Sequence, residues 1–155
     1  PYGTEALGVM RIEKGHAAGN ELNGTTTARN LGMGRMVSAS KDSIGAPLSR
    51  RPELERDDVL NLVGLRPVNA SDPIVAGSHL MRRGDAANAA NDHGYVTSAC
   101  FSPNLGHGIA LGLLRNGGAR MGEVIRAVNP LKGSEIEVEV VSAHFIDPEG
   151  ERLRA

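Results

Sequence analysis

A chain of 155 residues lies within the roughly 100–200 expected of one domain and can bury a core without staples. Seventeen basic against eighteen acidic residues, a net charge of −1 and 3% aromatics exclude a general nucleic-acid binder, which needs a basic surface for phosphates and rings on which bases stack. The single cysteine, Cys100, excludes an internal disulfide and a cysteine-rich zinc site and suits a reducing compartment, so a cytoplasmic setting is expected.

No apolar run approaches the ~20 residues of a membrane helix, and Pro1-Tyr2-Gly3-Thr4 has neither the basic nor the apolar region of a signal peptide. The chain starts on Pro1 inside an organised pattern, so it reads as a fragment of something longer. Residues 4–14 are the first predicted helix. Thr4 is its expected N-cap, and Glu5 sits in the first turn, where carboxylates meet the positive dipole end. Leu7, Met10 and either Val9 or Ile12 give an apolar stripe, and Lys14 followed by Gly15 stops the helix. Gly8 costs about 1 kcal/mol in a helix and is expected to leave room for another backbone.

Residues 15–34 are rich in Gly, Asn and Thr and read as a long connection, a length typical of functional loops. Leu31 to Val37 is a short extended piece or turn leading into Ser38-Ala39-Ser40-Lys41-Asp42. A helical turn capped by Ser43 or Asp42 is expected in 44–56. The charges at 50–58 are either a solvated segment or a contact with a partner subunit. The change of character there divides the chain into 1–52 and 53–155.

Strand signals follow at near-regular spacing: Val59–Leu65, Ile74–Met81, Gly94–Phe101, Gly108–Leu114, Glu123–Val128 and Glu135–Val140. The last alternates glutamate with Ile/Val at a strict period of two. Asn116-Gly117-Gly118 reads as a hairpin-type turn, and Asp147 to Arg152 as a charged surface tail. The fold class is therefore α+β, mainly β: a short helical lead-in followed by six antiparallel strands in a barrel or sandwich.

Several motifs carry no chemistry. Gly32-Met33-Gly34 lacks the third glycine and the strand-then-helix context of a dinucleotide fingerprint, and Gly106-His107-Gly108 fails the same test. His16, His79, His93, His107 and His144 contain no pair at metal-ligand spacing on one helix, so no metal site is expected. Cys100 reads as a buried small hydrophobe. Glu13 has two readings. One is a solvated helix glutamate. The other is a ligand-binding carboxylate at a helix end beside a glycine-rich loop. A carboxylate offers two coplanar acceptors, which match a heterocycle carrying an adjacent ring N–H and exocyclic amine.

Tyr2-Gly3-Thr4-Glu5-Ala6-Leu7 through Arg11-Ile12-Glu13-Lys14-Gly15 resembles the Arg-hydrophobic-Glu-(Lys/Ala)-Gly signature of the aminomethyltransferase family. That family includes the T-protein of the glycine cleavage system and the folate-binding regions of dimethylglycine and sarcosine oxidases. Further likeness lies in Leu31–Ser38 with Lys41-Asp42-Ser43-Ile44-Gly45, in Leu62-Val63-Gly64-Leu65, and in Gly94–Pro103 with Ile109-Ala110-Leu111-Gly112. The Glu13-Lys14-Gly15-His16 and Met33-Gly34-Arg35-Met36 versions are most similar to the branch formed by alpha subunits of heterotetrameric sarcosine oxidases. The resemblance covers nearly the whole chain.

It implies that the strands form a six-stranded antiparallel Greek-key β-barrel. Residues 1–52 would be the end of the folate-binding domain and 53–155 the C-terminal barrel. It implies tetrahydrofolate as cofactor, with Glu13, Arg11 and Tyr2 as cofactor-binding residues and Glu13 on the pterin. FAD or FMN and NAD would lie elsewhere in the intact enzyme. The partners would be the upstream part of the same polypeptide and the other subunits of a hetero-oligomeric oxidase, without nucleic acid or membrane. The family's catalytic aspartate lies in the upstream half, so no catalytic residue is expected here and the fragment alone should be inactive. The family's folate-binding arginines have no counterpart near Ser38 to Lys41. The implied function is support of oxidative sarcosine demethylation with one-carbon transfer to give 5,10-methylenetetrahydrofolate. The alternatives are a stand-alone aminomethyltransferase-like protein and a non-catalytic subunit-interaction barrel.

Overall fold

The computed structural model describes residues 1–38 and 40–154; Ala39, within the expected Ser38–Asp42 link, lies outside them. One long helix, α1 (Thr4–Lys14), and two short ones, α2 (Ala46–Ser49) and α3 (Pro52–Glu55), precede six strands: β1 (Leu60–Pro67), β2 (His79–Arg82), β3 (Gly94–Ser102), β4 (His107–Arg115), β5 (Val124–Asn129) and β6 (Ser134–Val141). The strands close into a barrel in the order β1-β4-β3-β2-β5-β6, and every pairing is antiparallel. β2, β3 and β4 are neighbours in sequence order with β1 beside β4, which is the Greek-key arrangement.

The alternation of β6 places Ile136, Val138 and Val140 on the barrel core, which also holds Val63, Leu65, Leu80, Val96, Ala110, Leu114, Ile125 and Ala127. Glu135, Glu137 and Glu139 on the other face pair with Arg126 (2.6 Å), Arg83 (2.7 Å) and Arg66 (2.6 Å). Such exposed pairs add little stability; they keep this face wet and fix which side of β6 looks inward.

β4 is buried on both faces from Ile109 to Leu114. Ala110 and Leu114 face the core, while Ile109 and Leu111 form a second cluster with Ile12 of α1, against which Leu62, Cys100, Ala143 and Phe145 pack. α1 therefore lies on the outside of β3 and β4, held by its last turn. Its exposed half carries Leu7 and Met10.

Five local expectations are corrected. Gly45 precedes α2 and no side chain caps it, so neither Asp42 nor Ser43 takes that role. Gly3, not Thr4, precedes the first turn of α1, and no side chain caps it; Thr4 is already helical. Gly8 faces open space, so no backbone approaches it. Ile74 to Gly77 is not strand: Ser78 folds back on the Val75 carbonyl through both its N–H (3.2 Å) and its hydroxyl (2.7 Å), and only His79–Arg82 pairs. Asn116-Gly117-Gly118 does not join a hairpin, because β4 and β5 are not neighbours; Asn116 is left-handed (φ 53°) and opens a 3-10 turn, Gly117–Arg120, that leads the chain across the barrel end. The turn-forming signal was sound, but it carries no information about which strands pair.

Candidate functional site

α1 ends as its sequence predicts. Gly15 is left-handed (φ 73°), its N–H bonds to the Ile12 carbonyl (3.0 Å) and the His16 N–H to the Arg11 carbonyl (2.8 Å), a Schellman closure. The segment after β6 runs across this closure. Phe145 and Ile146 both donate their N–H groups to the Glu13 carbonyl at 3.0 Å, His144 Nδ1 meets the Lys14 carbonyl at 2.9 Å, and Lys14 Nζ bonds to Asp147. A side chain at position 15 would place its Cβ 2.5 Å from the Ala143 carbonyl. The last turn of α1 is thus fixed from outside, and with it the direction of the Glu13 side chain.

A bulge in β3 decides what that side chain meets. Val96 pairs with Gly112 but Ser98 pairs with Leu111, leaving Thr97 as the extra residue. The shift turns Ser98, Cys100 and Ser102 outward, onto the face covered by α1. Ser98 meets Arg11, Cys100 packs beside Ile12, and Ser102 meets Glu13.

Glu13 is only 4% exposed. Its Oε1 accepts from Ser102 Oγ at 2.5 Å, and Asn104 Nδ2 donates to Oε1 at 3.1 Å and Oε2 at 3.0 Å. Ser102 Oγ accepts in turn from the Leu105 N–H (3.1 Å), which aims its proton at the carboxylate. The two basic residues of this turn are used elsewhere: Arg11 pairs with Glu21 and Lys14 with Asp147. Among the described residues Glu13 has no cationic partner, so a nearly buried carboxylate is held by neutral donors alone, a costly state unless a further strong donor reaches it.

The carboxylate forms part of the wall of a cleft of about 610 Å³, lined also by Glu5, Ala6, Val9, Met10, Phe101 and Asn104. That volume is within the range of small-molecule sites. Apart from Glu5, Glu13 and Asn104 the lining side chains are apolar, and the Glu13 acceptor pair suits the edge of a flat ring that carries N–H donors.

A second buried carboxylate stands nearby. Glu21 is fully buried; it accepts from Ser98 Oγ (2.7 Å), the Ala18 N–H (2.8 Å) and Arg11 Nη1 (3.3 Å), while Arg11 Nη2 donates to Ser98 Oγ (2.6 Å). Burial pushes the Glu21 carboxyl up, but the Thr97 hydroxyl, the Ala18 N–H, the Ser98 hydroxyl and the Arg11 charge together hold it below the usual glutamate range. This network ties the loop after α1 to β3. Cys100, between the two carboxylates, has its thiol pushed up by burial and then by the Glu13 charge, which makes it a poor nucleophile.

Of the three residues singled out in the sequence, the structure places Glu13 in the cleft. Arg11 points to Glu21 and Ser98 rather than into the cleft, and Tyr2 is 71% exposed ahead of α1, outside the cleft lining. Glu21, Ser102 and Asn104 escaped the sequence reading. Ser102-Pro103 belongs to the motif run that carries the family resemblance, and Asn104 follows it directly, so the signal for these two was at hand.

The family model for the glycine cleavage T-protein C-terminal barrel domain matches residues 61–147. The chain belongs to this family. The matched residues run from β1 past β6. Among characterised relatives, the sarcosine oxidase subunit alpha of Rhizobium meliloti (strain 1021) is 44% identical over 154 residues, covering 99% of this chain and 16% of the relative. The same subunit of Corynebacterium sp. (strain U-96) is 37% identical over 155 residues, covering 98% and 16%. The aminomethyltransferase of Saccharopolyspora erythraea is 34% identical over 149 residues, covering 94% and 38%. The chain thus spans about a sixth of the length of the sarcosine oxidase alpha subunits it matches. The likeness to the two sarcosine oxidase alpha subunits covers 99% and 98% of this chain and so takes in the lead-in helix as well as the barrel.

Proposed function

We propose that this T-protein barrel and its lead-in form the C-terminal part of a sarcosine oxidase alpha subunit, where they complete a tetrahydrofolate site. The observation that carries this reading is the Glu13 carboxylate: nearly buried, without a counter-charge among the described residues, and on a residue that lines a cleft with Ala6, Val9, Met10 and Phe101 as well as Glu5. A pterin edge, with a ring N–H beside an exocyclic amine, supplies the two strong donors that such a carboxylate lacks. Ala6, Val9, Met10 and Phe101 would flank the ring. Arg11 then acts through Glu21 and Ser98 by anchoring the turn that presents Glu13, and Tyr2 would close the open side ahead of α1.

Bound tetrahydrofolate would supply the nitrogens that take up the one-carbon unit released when sarcosine is oxidised, giving 5,10-methylenetetrahydrofolate. The residues of this chain bind and orient; they move no proton of the reaction. FAD or FMN and NAD belong to other parts of the intact cytoplasmic oxidase. The division near residue 52 separates the end of the folate-binding domain from the barrel. Met36, Val37, Ile44 and Leu48 are exposed along the lead-in. Their exposure favours a seat for this segment against the upstream polypeptide or another subunit.

In the full-length subunit, Glu13→Ala should weaken tetrahydrofolate binding about 10–100-fold, the loss of a charge-assisted pair, while sarcosine oxidation at the flavin continues. Calorimetry giving the wild-type affinity for this variant would reject the folate site.

A further inference from the structure

The position of Asn104 bears on how Glu13 could be reached. Its Nδ2 is 3.1 Å from Oε1 and 3.0 Å from Oε2. Nearly equal distances put that nitrogen midway between the two oxygens, in front of both. A ligand with two adjacent donors, one to each oxygen, needs the same face. Ser102 does not compete for it. Ser102 is fully buried, approaches Oε1 alone, and is pinned by the Leu105 N–H. Asn104 differs in each respect: it stands on the exposed β3–β4 turn, borders the cleft, and donates one nitrogen to two oxygens, a shared and therefore bent geometry.

We propose that the Asn104 side-chain amide is a displaceable internal competitor, which holds the bidentate face of Glu13 and must swing out before a ligand with paired donors can bind there. This rests on the folate reading and adds to it the selection the site imposes. A ligand offering one weak donor gains nothing by replacing Asn104, because it exchanges one hydrogen bond for another. A ligand offering a ring N–H and an amine in register gains a second bond to a charged acceptor. The amide thus favours amidine-like edges over single donors. Rotation of an exposed asparagine on a turn is a small movement and needs no change in the barrel.

The test uses the full-length subunit and tetrahydrofolate under anaerobic conditions. Asn104→Ala should tighten binding about three- to tenfold, the range for removing one hydrogen bond of net worth about 1 kcal/mol. Because loss of a supporting residue does not raise affinity, a gain separates competition from support. The gain should vanish in a Glu13→Gln background, where the bidentate acceptor pair is gone. Asn104→Ser, too short to reach both oxygens, should show the same gain and serves if the alanine variant misfolds. If Asn104→Ala and Asn104→Ser bind tetrahydrofolate as the wild type does or more weakly while Glu13→Ala has lost it, the competitor role is overturned and the folate site stands. If Glu13→Ala binds as the wild type does, both are overturned.

Discussion

Two glutamates, one in the last turn of α1 and one in the loop after it, are buried in opposite ways. Glu21 is compensated by Arg11, the Ser98 hydroxyl and a backbone N–H, and its job is to hold the chain together. Among the described residues Glu13 is compensated only by neutral donors, and it lines a cleft. The difference has a measurable side. A carboxyl held below its ordinary range in the folded state stabilises the fold at pH values above its unfolded pKa of about 4.3, and that stabilisation is lost as pH falls through the depressed folded value. Urea titrations on acidification from about pH 6 should therefore show the wild type losing stability below about pH 4.3. Glu21→Gln should be less stable at neutral pH by about 3 kcal/mol, as when one partner of a buried pair is removed, with a flatter acid limb. An unchanged acid limb would mean that Glu21 does not titrate as this network requires. None of this was legible in the sequence, since Ser98 lies far along the chain from Glu21 and only a bulge in β3 turns it toward the loop.

At the scale of elements, most of the fold was readable and the exceptions have causes. β6 followed from its alternation and α1 from its C-terminal signals, both local patterns. β1, β3, β4 and β5 fell where β-branched runs ended at Pro, Gly or Asn. β2 was overextended because Ile74 and Val75 are β-prone, yet the Ser78 hydroxyl closes a turn on the Val75 carbonyl. The Thr97 bulge was invisible, because one extra residue changes the facing of a strand without changing its composition. Yet it sets the row Ser98-Cys100-Ser102 against α1, and so creates half of the Glu13 environment. The element most exposed to a single change is the closure of α1. Gly15→Ala forces a side chain into the left-handed region, costing about 1–2 kcal/mol, and drives its Cβ against the Ala143 carbonyl. The urea midpoint should fall, and the Phe145 and Ile146 amides, whose acceptor is the Glu13 carbonyl, should exchange faster with deuterium. Wild-type exchange at those two amides would show that the closure does not depend on the glycine.

Across the whole molecule, the resemblance supplied what local reading left open, the closed barrel rather than a sandwich, because closure is decided by the β1–β6 pairing between distant segments. The same distance effect governs the site. Residues from the start of the chain present the carboxylate, residues from the β3–β4 turn grip it, and residues beyond β6 fasten the helix that bears it. The last of these adds no rung to the six strands, although Ala143 and Phe145 cover Ile109 and Leu111 on the outer face of β4. A stop codon just past Val141 would spare every rung of the sheet, so the circular dichroism of the β structure should change little even as the loss of Phe145 from the outer face of β4 lowers the melting temperature. The helix would nevertheless lose the strap that docks it, Glu13 would no longer be held at a fixed angle, and a truncated protein that keeps its sheet would lose the proposed folate site.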